Sequence, residues 1–152
     1  MIRHAVGAIV IKGDTYLVIH KTKMNTKEGK RKIDGQWDFV KGGIEPHDVT
    51  LEAAIMRELS EETGSSDYRM IKQFDEKICF DFPEELKDRI GYERQETTMF
   101  LVEFVGDESS LTPQDDEIVE LQFVKSNELI KTLTHEDTIN FIRENLSKQS
   151  MK

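Results

Sequence analysis

The residues with the clearest capacity for chemistry in this chain fall in one stretch, Arg57-Glu58-Leu59-Ser60-Glu61-Glu62-Thr63-Gly64. Acids spaced i, i+3 and i+4 on a helix repel one another by roughly 0.2–0.5 kcal/mol per like-charged pair, and partial burial raises that cost. A hard divalent cation removes the conflict, because Mg²⁺ takes oxygen ligands and binds through a few carboxylates together with substrate phosphates. The chemistry such a group would serve is charge neutralisation at a phosphate-bearing ligand. The plainer alternative is a solvated helix face with Arg57 and Glu61 paired at i, i+4.

The flanking residues favour the first reading. Gly42, Gly43, Pro46 and Asp48 suit a turn that feeds a helix start. Thr50 can cap, Leu51 to Thr63 are mostly good helix formers, and Gly64 stands where a left-handed C-terminal cap is wanted. At about 100° per residue, Leu51, Ile55 and Leu59 fall at roughly 0°, 40° and 80°. Glu58, Glu61 and Glu62 fall at roughly 340°, 280° and 20° on the same wheel, flanking the apolar stripe. Ala53 and Ser60 face water instead.

Residues 42–65 resemble the Nudix box, G-x5-E-x7-R-E-U-x-E-E-x-G-U with U a bulky aliphatic. Arg57, Glu58, Leu59, Glu61, Glu62 and Gly64 match R-E-U-x-E-E-x-G position by position. Two positions depart from the pattern. Counted from Gly42, the first Glu position is Asp48, one residue further from Arg57 than in the family. Either the loop carries one extra residue or Val49 takes the Glu position. The final U is Ser65. The resemblance implies that Glu58, Glu61 and Glu62 hold Mg²⁺, with Mn²⁺ as a substitute, and that a carbonyl near Gly42 joins the metal shell. It further implies that Arg57 orients the acids and is itself oriented by the first Glu. The base for the attacking water is Glu117, from a later loop, or Glu61 within the helix.

Those residues need a scaffold. At 152 residues, 37% apolar and 34% charged, the chain has an ordinary soluble globular composition. Residues 1–148 are expected to form a single domain, with a frayed tail at 149–152. No apolar run reaches membrane-span length, no secretory signal shows at the N-terminus, and one cysteine fits a reducing cytoplasm. Cys79 lies in an apolar strand-like run and reads as buried filler. Residues 20–32 carry six Lys or Arg against one acid, a local +5 that leaves −14 for the rest of a chain of net charge −9. A basic loop on an acidic body suits a polyanionic small ligand or an RNA end better than long duplex contact.

Strands are expected at His4 to Ile11, Thr15 to His20 and Gln36 to Val40, and one or two between Tyr68 and Phe82. Thr97 to Val105 reads as a central strand and Ile118 to Val124 as a further one. Pro83 to Asp88 reads as a turn or short helix and Arg89 to Glu96 as a polar connection. Ser126 is expected to cap a short helix, and Thr134-x-x-Asp137 to box the start of the last one. This order predicts a mixed α/β (α+β) fold, a Nudix-like α/β/α sandwich with a mixed sheet between helices.

The segment from Trp37 to Pro46, with Thr97 to Val105, is similar to the Nudix branch of diadenosine tetraphosphate hydrolases and RNA 5′-pyrophosphohydrolases. Lys41 is placed to meet a phosphate as a point charge. Phe80 stands where that branch commonly carries a base-stacking Tyr, and Tyr92 is a second aromatic that could reach a base. The first expectation is a Mg²⁺-dependent hydrolase of a dinucleoside polyphosphate. The second is processing of RNA 5′ ends, with the basic loop as guide, and the third is a catalytically weak nucleotide sensor. A monomer or homodimer without membrane contact is expected.

Overall fold

A computed structural model describes residues 1–26, 29–114 and 117–150, with only the backbone described at 24–26, 30–31 and 147–150. Seven strands alternate with four helices: β1 Ile2–Lys12, β2 Thr15–Thr26, β3 Gly29–Asp38, β4 Val40–Gly43, α1 Leu51–Thr63, β5 Tyr68–Asp81, α2 Glu84–Ile90, β6 Arg94–Phe104, β7 Ile118–Lys125, α3 Ser126–Thr132 and α4 Glu136–Ser150. The strands form one mixed sheet in the order β3-β2-β1-β6-β5, with β4 pairing β1 and β7 pairing β2. β1 and β6 run parallel and the other pairs antiparallel.

Period-2 alternation divides the core into two layers. Val6, Ala8 and Val10 of β1 face α1 and pack with Ala54, Ile55 and Leu59. Ile9 of the same strand faces the other way and packs with Met99, Leu129, Phe141 and Ile142 beneath α3 and α4. The sheet therefore lies between helices, as the element order predicts. Only Phe39 separates β3 from β4, yet β3 pairs with β2 and β4 with β1. The chain thus crosses between sheet halves just where it delivers Gly42 and Gly43 to α1.

Several local expectations change. The basic stretch is not a loop, because β2 continues to Thr26 and pairs with β3 at Lys23–Lys32, Met24–Arg31 and Asn25–Lys30. Residues 27–28 at its tip lie outside the described residues. Polar composition concealed strands whose partners are each other. Tyr68 to Asp81 is one strand, with register shifts between Met70 and Lys72 and between Gln73 and Lys77. The polar run after Arg89 is strand from Arg94 onward, since Arg94 to Glu96 pair with Ile2 to His4.

Cys79 is exposed rather than buried. It alternates with the inward-facing Ile78, so its apolar neighbours in sequence point elsewhere. Ser126 is the first residue of α3, and the N-cap is Lys125, which makes no side-chain cap bond. The Thr134 hydroxyl accepts from the Trp37 N–H at 2.8 Å, tying the start of α4 to β3. Helix α4 reaches Ser150, and the rest of the expected frayed tail, 151–152, lies outside the described residues. Among the described residues no helix is long and apolar enough to cross a membrane.

Candidate active site

Helix α1 is closed at both ends by the residues the sequence offered. The Thr50 side chain accepts from the Ala53 N–H at 3.0 Å. Gly64 adopts φ +76°, and its N–H returns to the Ser60 carbonyl. Ser65, where the family prefers a bulky aliphatic, is buried and its hydroxyl accepts from the Asp67 N–H at 3.1 Å. It shapes the turn into β5 instead of filling the core.

The helix turns two of its acids inward. Glu58 is 9% exposed and Glu62 5%, whereas the Glu61 side chain is 58% exposed. Arg57 ties the cluster together. Its Nη1 donates to Glu58 Oε1 at 2.9 Å and to Glu61 Oε2 at 3.1 Å. Its Nε and Nη2 donate to Asp48 Oδ1 and Oδ2 at 2.9 and 2.8 Å, and Nη2 also reaches the Gly43 carbonyl at 3.0 Å. The plainer reading of an i, i+4 pair is thus one strand of a larger node.

The same node resolves the loop. Asp48, not Val49, meets Arg57, and Val49 is 90% exposed. The extra residue is extruded, and the shorter acid takes the place of the first Glu. The Arg57 guanidinium holds the Asp48 carboxyl well below the usual range, at about 2. Burial pushes Glu58 up, while the charges of Arg57 and Lys21 oppose the rise. Asp48 and Glu58 in turn raise Arg57, keeping it charged.

Gly42 lies directly against Glu58: a Cβ added there would collide with the carboxylate. Gly42→Ala is expected to displace Glu58 and cost about 1–3 kcal/mol of stability by overpacking, along with most turnover. Wild-type values for both, by thermal melting and steady-state kinetics, would overturn this placement.

The segment before Glu117 is drawn to the C-terminal end of α1, and Glu117 itself to β2. Thr112 N–H bonds the Thr63 carbonyl at 3.0 Å, Gln114 N–H bonds the Glu62 carbonyl at 3.2 Å, and Thr22 N–H bonds the Glu117 carbonyl at 2.9 Å. Residues 112–114 are therefore laid across the C-terminal turn of α1, and Glu117 is stitched to β2. Asp115 and Asp116 lie outside the described residues.

The three side chains expected to meet substrate are not brought to the carboxylates. Lys41 projects to the opposite face of the sheet, where Nζ meets Asp38 Oδ1 at 3.1 Å and Thr138 Oγ1 of α4 at 2.8 Å. Alternation places the side chain of Lys41 and the Cα face of Gly42 on opposite sides of the sheet. Phe80 is half-buried on β5, edge-on to Phe82 with ring centroids 5.1 Å apart. It stands in one row with Gln95 and Arg3. Tyr92 lines a separate hollow with Glu84, Lys87 and Asp88.

Two basic residues that reach the box from other strands were not singled out by sequence. Arg3 donates to Gln95 Oε1 at 2.6 Å and packs against Gly43, where an added Cβ would lie 2.9 Å from its Nη2. Lys21 stands in electrostatic reach of Glu58. Neither has a spacing signal, because both meet the box through sheet pairing.

The donor set fits a hard divalent cation. Glu58 and Glu62 are buried one turn apart, Glu61 shares the Arg57 guanidinium with Glu58, and carboxylate oxygens are the ligands such a cation takes. Among the described residues no three His, Cys, Asp or Glu side chains are gathered as a metal-holding group by themselves. A cation that keeps waters and takes substrate phosphates does not require one.

A NUDIX domain family profile matches residues 1–144. The chain is 30% identical over 112 residues to an RNA pyrophosphohydrolase of Bartonella bacilliformis, covering 72% of this chain and 65% of that protein. To an RNA pyrophosphohydrolase of Caulobacter vibrioides it is 35% identical over 88 residues, covering 55% of this chain and 51% of that one. The chain thus spans about half to two thirds of these relatives. Among solved structures, a NUDIX hydrolase from Nitrosomonas europaea superposes with TM-score 0.73 at 16% identity, over 97% of this chain and 90% of that one.

Proposed function

This chain belongs to the NUDIX domain family, and from that premise we propose that it is a divalent-metal-dependent pyrophosphohydrolase acting on the 5′-triphosphate end of RNA. The observation that carries the hydrolytic part is the Arg57 node, in which one guanidinium holds Asp48, Glu58 and Glu61 beside the buried Glu62. Glu58, Glu61 and Glu62, with a carbonyl at Gly42, would hold the cation. Bound there, it neutralises phosphate charge and lowers the pKa of a water.

The chain's own groups do the rest. Arg57 fixes the direction of the Glu58 and Glu61 carboxylates. Glu117, whose carbonyl is held by the Thr22 N–H of β2, or the exposed Glu61 takes the proton of the attacking water. Water oxygen bonds to phosphorus, the bridging P–O bond breaks, and pyrophosphate leaves. The substrate assignment is supported by the relatives named RNA pyrophosphohydrolase, which move RNA ahead of a dinucleoside polyphosphate. The second reading retains one observation: the half-buried Phe80–Phe82 pair offers a surface on which a second base could stack.

The test is turnover with Mg²⁺ of a 5′-triphosphorylated oligonucleotide beside diadenosine tetraphosphate, with products separated. Pyrophosphate released faster from the RNA is the expected result. Faster appearance of ATP and AMP would transfer the assignment to the dinucleotide. Cation binding without turnover of either would leave a nucleotide sensor.

A further inference from the structure

Beyond Lys21, β2 leaves β7, and the ribbon it forms with β3 pairs only with itself from Lys23–Lys32 to Thr26–Gly29. This arm belongs to the basic stretch 20–32, a local +5 on a chain of net charge −9. Its lysines are ordered by the pleat. Leu17 and Ile19 of β2 belong to the α1-side core. The register shifts on either side of Lys21 place the extra residues on β7 and β3, so β2 keeps its own alternation and Lys21 and Lys23 continue that face outward, about 7 Å apart at two residues of strand rise.

Lys32, which is exposed, lies directly across from Lys23. The row begins at the active site, since Lys21 is in electrostatic reach of Glu58 and the next residue, Thr22, bonds the Glu117 carbonyl.

We propose that the α1-side face of the β2–β3 arm, through Lys23 and Lys32, is a phosphate track for the single-stranded RNA that follows the nucleotide being hydrolysed. This rests on the RNA reading above for its biological use, but its binding is separable from turnover. A single strand fits where a duplex does not, because the remaining −14 of the molecule confines attraction to one narrow ribbon. The track lies outside the residues assigned to metal and proton transfer.

Binding of a labelled 5′-hydroxyl single-stranded RNA, which carries no scissile group, reads the track directly. Lys23→Glu with Lys32→Glu is expected to weaken binding at least tenfold. It should also flatten the slope of log K against log salt by about 1.4, about 0.7 for each phosphate left without its lysine. Lys23→Arg with Lys32→Arg retains wild-type binding, which separates charge from folding. Hydrolysis of a nucleoside triphosphate or diadenosine tetraphosphate, whichever the enzyme turns over, stays unchanged in both variants.

Unchanged affinity and salt slope in the Glu variant would overturn the track. So would equal loss of RNA binding and small-substrate turnover, or charge-dependent binding to anionic vesicles with none to RNA. If wild-type protein binds the RNA through these lysines yet leaves 5′-triphosphate RNA intact, the track stands and the substrate assignment falls.

Discussion

Glu62→Gln is expected to lower kcat about a thousandfold at saturating Mg²⁺, a loss of about 4 kcal/mol of transition-state stabilisation. Glu62 is 5% exposed on the inner side of α1, one turn from the equally inward Glu58. Replacing one carboxylate oxygen by an amide nitrogen keeps the shape and removes the charge that a hard cation requires.

Metal binding then supplies a readout apart from activity. Wild-type protein at a hundred times the cation Kd gains about 2.7 kcal/mol, roughly 5–10 °C in Tm for a domain of this size. Glu62→Gln should show little of that gain with Mg²⁺ or Mn²⁺. Activity near wild type, or an undiminished metal-induced shift, would remove Glu62 from the cation site.

Asp48→Asn is expected to cost roughly 10–100-fold in kcat, the range for partners that orient metal-site ligands. The side chain is 3% exposed and grips two nitrogens of Arg57. Asn can accept one such bond but carries no charge. Val49→Ala, by contrast, should stay within about 0.5 kcal/mol of wild type, as surface changes do. Deleting Val49 while making Asp48→Glu should recover much of the Asp48→Asn loss, since the shorter loop and longer acid reach the same guanidinium.

The pH dependence has a definite sign. A carboxyl lowered from 3.8 to about 2 contributes stability that is complete above its unfolded value and lost as pH falls through about 2. Above about pH 5 the wild-type and Asp48→Asn rate profiles should therefore be parallel, offset by a constant factor. Profiles that converge at neutral pH would show that Asp48 does not act through Arg57.

Sequence by itself determined the helix, its caps and the inward side of the acids. Thr50, Gly64 and the spacing of Glu58 and Glu62 against Ile55 and Leu59 are local, and a helix converts local spacing into angle without reference to the rest of the chain. The layered mixed sheet was legible for a similar reason, because alternation and element order constrain which faces are buried.

What spacing could not supply was partnership across the sheet. Nothing local chooses between Asp48 and Val49, and only the meeting of the loop with Arg57 does so. Lys41 looked like a neighbour of Gly42 and was sent to the opposite face by the pleat, into contact with Thr138 of α4. Residues 20–32 read as a loop from their charge and became a ribbon because each strand found the other. Arg3 reached Gly43, Thr112 and Gln114 reached the end of α1, and Glu117 reached β2, through pairings between segments far apart in the chain. Helix angle is a property of neighbouring residues, whereas strand register and loop docking depend on distant segments, and only tertiary structure decides where those meet.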